Sequence, residues 1–209
     1  MWKDKVRRLL DGSTAVEMYR RRNARKVIDT WNGRLPVPHA VKSRRVIEVA
    51  RRFGCTSLIE TGTWLGEMVQ ATIQVFDSIH TIELSPLYAS RCRDRFSNRP
   101  KVRVYEGDSA VLLPQILDQV RARALIWLDA HWSGGLTAMA AEKSPIVQEL
   151  RWISSHPRHC ILIDDAHQFV GAGGYPAMDE LHALVGATFP RHSITVQNDI
   201  IEILPTQDA

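Results

Sequence analysis

Five short apolar segments set the limits on what this chain can fold into. They are SLIET (57–61), IHTIEL (79–84), VRVYEG (102–107), ALIWLDA (124–130) and CILIDDA (160–166). Each is strand-sized, and helix-length stretches at 65–76, 86–96, 109–121 and about 144–154 separate them. The strands are apolar at nearly every position rather than at alternate ones, so both faces of their sheet must be covered. Strand–helix alternation of this kind predicts an α/β fold: a Rossmann-like, doubly wound sheet with five parallel strands. After CILIDDA comes a Gly-rich loop, VGAGGYP, then a helix near 177–187 and two last strands, SITVQ and IIEIL. Only Asn198 and Asp199 separate those two strands. That is far too short for a crossover, so they form a C-terminal antiparallel hairpin on a tight turn.

Ahead of the first strand the pattern is helical. Residues 1–30 read as helix with a break at Asp11-Gly12-Ser13, and NGRLPVPH (32–39) is a loop. AVKSRRVIEVARRF then repeats apolar residues at helical spacing until Gly54 stops it. The expected organisation is a helical N-terminal extension or lid over 1–54 and a catalytic domain over 55–209. A chain of 209 residues, 44% hydrophobic, suits one well-buried domain. Its longest apolar runs are strand-sized, so no membrane span is expected, and MWKDKVRRLL lacks the apolar core of a signal peptide. Cys55, Cys92 and Cys160 show no CxxC spacing, which argues against a disulfide framework or a structural zinc site. The expected location is the cytoplasm.

The net charge of +4 is unevenly spread. Residues 1–60 hold 15 Lys/Arg against 6 Asp/Glu, and residues 61–209 hold 12 against 17. The run YRRRNARK (19–26) is either a solvated helix face or a surface for nucleic acid, and no aromatic-rich RNA-binding signature accompanies it.

In an open sheet of this kind ligands bind at the carboxyl ends of the strands. Here every parallel strand ends in an acid. The first runs into ETGTWLGE, where Gly62 and Gly66 let backbone approach a ligand. The second ends at Glu83, 21 residues past Gly62 and placed to accept hydrogen bonds from ribose hydroxyls. The third leads to Asp108, either a helix cap or a contact to an adenine amine. The fourth ends in Asp129-Ala130-His131 and the fifth in Asp164-Asp165. Carboxylates crowded on one edge need positive charge, and a hard divalent cation suits Asp129, Asp164 and Asp165.

These residues resemble class I S-adenosylmethionine-dependent methyltransferases over about 55–205. The likeness is strongest to the metal-dependent O-methyltransferases that act on sugars of macrolide and aminocoumarin antibiotics. The first motif of those enzymes, E-x-G-x-W-x-G, is matched by Glu60, Gly62, Trp64 and Gly66. Their metal-binding acids are matched by Asp129, Asp164 and Asp165. LDAHW is also similar to a run that follows strand four in catechol-type O-methyltransferases.

The resemblance implies S-adenosylmethionine as cofactor, held by Glu60, Gly62, Thr63, Trp64, Gly66, Glu83, Asp108 and Ser109. It implies Mg2+ or Mn2+ on Asp129, Asp164 and Asp165, and a small-molecule hydroxyl acceptor such as a sugar or natural product. It leaves open a homo-oligomer. The sugar enzymes place an acid two residues beyond the strand-four Asp, and this chain has His131 there. Asp129 and His131 are therefore the expected catalytic residues, His131 as base, with His167 and metal-bound hydroxide as alternatives. Three other readings are weaker. A nicotinamide dehydrogenase would show G-x-G-x-x-G, which Trp64 breaks. An arginase-like D-A-H-x-D lacks its second Asp, with Ser133 there instead. A non-catalytic adenosyl-binding module using the basic front half would not need the metal acids, and an RNA methyltransferase, harder to exclude, is opposed by the lack of an N-P-P-Y-type amine-methylation tetrapeptide.

Overall fold

The computed structural model describes residues 14–129 and 145–206, with side chains from residue 22 onward. Two helices come first, α1 (Thr14–Thr30) and α2 (His39–Phe53). Five strand–helix units follow: β1 (Ser57–Thr61), α3 (Glu67–Thr72), β2 (Ser78–Glu83), α4 (Pro86–Arg95), β3 (Val102–Glu106), α5 (Ser109–Gln119), β4 (Ala124–Leu128), α6 (Ile146–Ser154), β5 (Cys160–Ile163) and α7 (Met178–Thr188). A short 3-10 turn, Ala166–Gln168, precedes α7, and β6 (His192–Gln197) and β7 (Ile200–Pro205) close the chain.

The seven strands form one sheet in the order β3-β2-β1-β4-β5-β7-β6. β1 to β5 are mutually parallel, and β7 runs antiparallel between β5 and β6. The strand order reverses between β1 and β4, and at such a switch point the carboxyl ends of the strands border a crevice in open sheets of this kind. Alternation along the strands splits the core in two. Ile59, Ile126, Leu128, Ile161 and Ile163 face α5, α6 and α7, while Leu58, Leu125, Trp127 and Leu162 face α2, α3 and α4. β1 and β4 are buried at every position. β3 departs from the expectation of doubly apolar strands: it lies at the sheet's edge, with Arg103 exposed.

The helix expected over 65–76 is shorter in the fold. Gly62 (φ 87°), Trp64 (φ 45°) and Gly66 (φ 71°) are left-handed, so the chain loops between β1 and α3 before a helix can start. A Cβ on Gly66 would stand 2.7 Å from the Phe96 ring, so this glycine is required by packing as well as by its φ. At the hairpin, Asn198 (φ 53°) and Asp199 (φ 60°) make the turn with both residues left-handed, as a two-residue hairpin demands.

α2 belongs to the packed structure. Its apolar stripe, Val46, Val49 and Ala50, sits in the same core as Leu58 and Trp127. Left-handed Gly54 stops it by returning its N–H to Ala50 and Arg51 carbonyls. Because α2 ends where β1 begins, its first turn lies at the opposite edge of the sheet, above the strands' carboxyl ends. No helix among the described residues is long and apolar enough to cross a membrane.

Candidate functional site

The ends of β1, β2 and β3 form one half of the crevice. Glu60 lies inside β1 with 2% of its surface exposed, and the Thr81 hydroxyl of the neighbouring strand donates to it. Burial pushes its carboxyl up to about 8; Thr81 opposes this, and the Asp129 and Glu83 charges add to it. Thr63 Oγ1 lies 2.5 Å from Thr81 Oγ1, extending the chain of hydroxyls into the loop. Glu83 accepts from the backbone N–H of Trp64 at 2.7 Å and of Ser85 at 2.8 Å. It thus holds Trp64 in its left-handed conformation, with the indole 57% exposed at the rim. Asp108 caps α5 through the Ala110 N–H at 2.8 Å. The next residue, Ser109, is buried.

The ends of β4 and β5 form the other half. The Asp129 N–H bonds to the Thr61 carbonyl and the Asp164 N–H to the Leu128 carbonyl, each at 3.0 Å, so the two acids leave the sheet side by side. Asp165 follows in a left-handed conformation (φ 52°), and its N–H donates to Asp164 Oδ1 at 2.9 Å. Between the paired acids sits an ammonium that the sequence reading did not anticipate. Lys42 Nζ, from the first turn of α2, lies 2.7 Å from Asp164 Oδ2 and 3.1 Å from Asp165 Oδ1. Burial and the Asp129 charge push the Asp164 carboxyl up to about 6, with Lys42 opposing. Burial pulls the Lys42 ammonium down, but the Asp164 charge and the hydrogen bonds of both acids outweigh it and hold the group above its usual value.

Three further side chains border the site without having been singled out. His39, one turn before Lys42, has a buried Nε2 with no hydrogen-bond partner among the described residues. Burial keeps its imidazole below the usual value, against the Glu67 and Asp129 charges. The Tyr175 phenol is pushed up to about 12 by burial and then by Asp165, Asp129 and Asp164. Glu149 on α6 is fully buried, and burial pushes its carboxyl up to about 7; the hydroxyls of Ser109 and Thr61 lie close enough to offset part of that. Their signal was present in the sequence: His39 and Lys42 continue the stripe of Val46 and Val49 at helical spacing, and Glu149 lies on the apolar face of Ile146, Leu150 and Ile153.

Of the two histidines considered as base, His131 lies outside the described residues, as do Ala130, Trp132 and Ser133. His167 is bonded to the hairpin turn, Nδ1 to Asp199 Oδ2 at 2.7 Å and N–H to Asp199 Oδ1 at 2.8 Å. It ties β7 to the loop after β5.

No family model and no curated protein matches the chain. Solved structures do. The chain is similar to the O-methyltransferase TomG from Streptomyces achromogenes, involved in tomaymycin synthesis and solved in complex with SAM, at a TM-score of 0.61 and 17% identity, covering 88% of this chain and 86% of that one. It is similar to an O-methyltransferase from Bacillus cereus in complex with SAH, at 0.57 and 15% identity, covering 88% and 89%. It is also similar to the SAH-bound methyltransferase PaMTH1 of Podospora anserina, at 0.56 and 16% identity, covering 88% and 86%. The architecture is the methyltransferase fold.

Proposed function

We propose that the protein transfers the methyl group of S-adenosylmethionine to a hydroxyl of a small molecule, a sugar or natural-product acceptor. One observation carries the reading. A glycine loop and three acids at the ends of β1, β2 and β3 adjoin an acid cluster at the ends of β4 and β5, across one switch point of this fold. The first half would hold the cofactor. Gly62, Thr63, Trp64 and Gly66 supply the loop, Glu60 anchors it from below, Glu83 takes the ribose hydroxyls, and Asp108 and Ser109 border the adenine. The second half would hold the acceptor beside Asp129.

The sulfonium methyl is already activated, so alignment and removal of one proton are the main tasks. The acceptor oxygen bonds to the methyl carbon, and the carbon–sulfur bond breaks with its electron pair returning to sulfur. The hydroxyl proton goes to a base, which we assign to His131, two residues beyond Asp129. Neutral S-adenosylhomocysteine leaves.

The Mg2+ or Mn2+ implied at Asp129, Asp164 and Asp165 would find hard oxygen donors there. The residues do not fit it as they stand. Lys42 already occupies Asp164 and Asp165. Among the described residues, the group that brings one donor each within 4.8 Å is Asp165, His167 and Asp199, of which the last two are bonded to each other. The cytoplasm, where thiols stay reduced, suits three buried free cysteines.

Calorimetry with S-adenosylmethionine, S-adenosylhomocysteine and NADH tests the cofactor, and isotopic methyl transfer to a panel of hydroxyl acceptors tests the reaction. Binding of NADH without the methyl donor would overturn the reading. Methylated RNA as the sole product would move it to the nucleic-acid alternative.

A further inference from the structure

We propose that Lys42 is the resident cation of the acceptor half: its ammonium stands where a divalent ion would, neutralises Asp164 and Asp165, and offers its remaining N–H to the acceptor oxygen, so that methyl transfer needs no metal. The acceptor contact rests on the methyltransferase reading; the exclusion of metal rests on geometry alone.

The geometry is that of charge-assisted hydrogen bonds, 2.7 and 3.1 Å, to one oxygen of each acid. A Mg2+ ion binds carboxylate oxygens at about 2.0–2.1 Å. It cannot share those oxygens with an ammonium without the two cations repelling each other at close range. Lys42 is also well held. Its side chain is 14% exposed, and its helix is anchored by Val46 and Val49 in the core and by the Arg45–Glu202 pair one turn further on. An ammonium has three N–H donors, and the two acids take two. The third has no partner among the described residues. His39 lies three residues earlier on the same face, where burial holds its imidazole below the usual value.

A lysine also accounts for the helix that bears it. A metal would be held by the sheet's own strand ends and would not need α2. With Lys42 as the cation, the first turn of α2 becomes part of the site, and a helix that otherwise packs on the core gains a second role.

The test is a Mn2+ titration of the full chain, read by electron paramagnetic resonance, on the wild type, Lys42→Met and Lys42→Arg, with cofactor affinity measured on each. The wild type and Lys42→Arg should bind no Mn2+ below about 1 mM, the weak end of oxygen-ligand sites. Lys42→Met removes the competing ammonium and should bind one ion at least about tenfold more tightly than the wild type. Cofactor affinity should stay within about twofold in all three, because the cofactor uses other strand ends. Wild-type turnover should be unchanged by EDTA, and in Lys42→Met the acceptor KM should rise about tenfold or more.

Tight stoichiometric Mn2+ binding by the wild type, or turnover lost in EDTA and restored by Mn2+, overturns the proposal. So does a folded Lys42→Met that gains no affinity for the ion. If Lys42→Met does not fold, the wild-type titration and the EDTA assay still decide. A wild type that binds no methyl donor refutes the methyltransferase reading instead, and leaves the metal titration standing.

Discussion

Glu60 and Glu83 are both buried acids, and their neighbours set them apart. Glu83 accepts two backbone N–H groups, from Trp64 and Ser85. Those same bonds hold the loop that would cradle the cofactor. Glu83→Ala should therefore weaken S-adenosylmethionine binding at least about tenfold, about 1.4 kcal/mol, as calorimetry would show. Glu60 has one hydroxyl donor against full burial, and its folded pKa of about 8 lies above the 4.5 of an ordinary Glu. An acid so shifted favours the folded state most at low pH, where both states hold the proton. As pH rises from about 4.5 to about 8 the unfolded chain ionises and the folded one resists, so stability falls across that window and levels above it. Glu60→Gln removes this dependence. In urea unfolding without ligand, the variant should gain on the parent steadily between pH 5 and 8; a pH-independent difference would show that Glu60 ionises freely in the fold. His131 is tested by rate. His131→Ala should lower kcat by about 10² to 10⁴ while cofactor still binds, and a near-normal kcat with an unchanged pH profile would place the base elsewhere.

α2 shows what periodicity reveals and what it hides. Its existence, its stop at Gly54 and its apolar stripe are all readable from AVKSRRVIEVARRF, because a helix on a core repeats every three to four residues. What periodicity does not say is where the polar members of the stripe end up. Lys42 and Arg45 read as surface charges, yet each reaches a buried acid more than 120 residues away in the chain, and only the tertiary fold brings those acids within range. The strands were legible within a residue or two at the core, since both faces of β1 and β4 are buried and no register but one hides them. The 62–66 loop was less so: its glycines were visible, but Trp64 at positive φ was not, being stabilised by Glu83 rather than by its own preference. The Arg45–Glu202 pair makes a prediction at this scale. Arg45 Nε and Nη2 meet both carboxylate oxygens at 2.6 and 2.7 Å, and the Glu202 side chain is 2% exposed. Arg45→Met strands that carboxylate and should cost about 3–5 kcal/mol in denaturant unfolding. Adding Glu202→Leu should recover most of the loss, because the penalty comes from an unpaired buried charge rather than from the missing attraction.

Taken as one body, the molecule divides its charge between a basic front and an acidic crevice, and part of the basic excess is already used inside. Residues 1–60 hold 15 Lys/Arg against 6 Asp/Glu, but Lys42 and Arg45 are bound to acids of the sheet and Arg44 lies 2.7 Å from Glu48. In the described part of α1, Arg22, Arg25 and Lys26 are exposed, and the Arg25–Asp29 pair at 3.8 Å is an open surface contact that neutralises little. This is the pattern of a solvated helix face. Such a face attracts a polyanion through its charge alone, and that attraction decays as salt replaces the counterions it would release. A fluorescent single-stranded RNA should accordingly bind more weakly than about 10⁻⁶ M at physiological salt, with affinity falling linearly in log[salt]. Neutralising Arg22, Arg25 and Lys26 together should flatten that slope without touching S-adenosylmethionine affinity, since among the described residues no ion pair joins them to an acid of the crevice. Binding that instead stays tight at 200 mM salt and survives the triple substitution would mean that RNA meets the crevice itself, and the acceptor would then be sought among its hydroxyls rather than among small molecules.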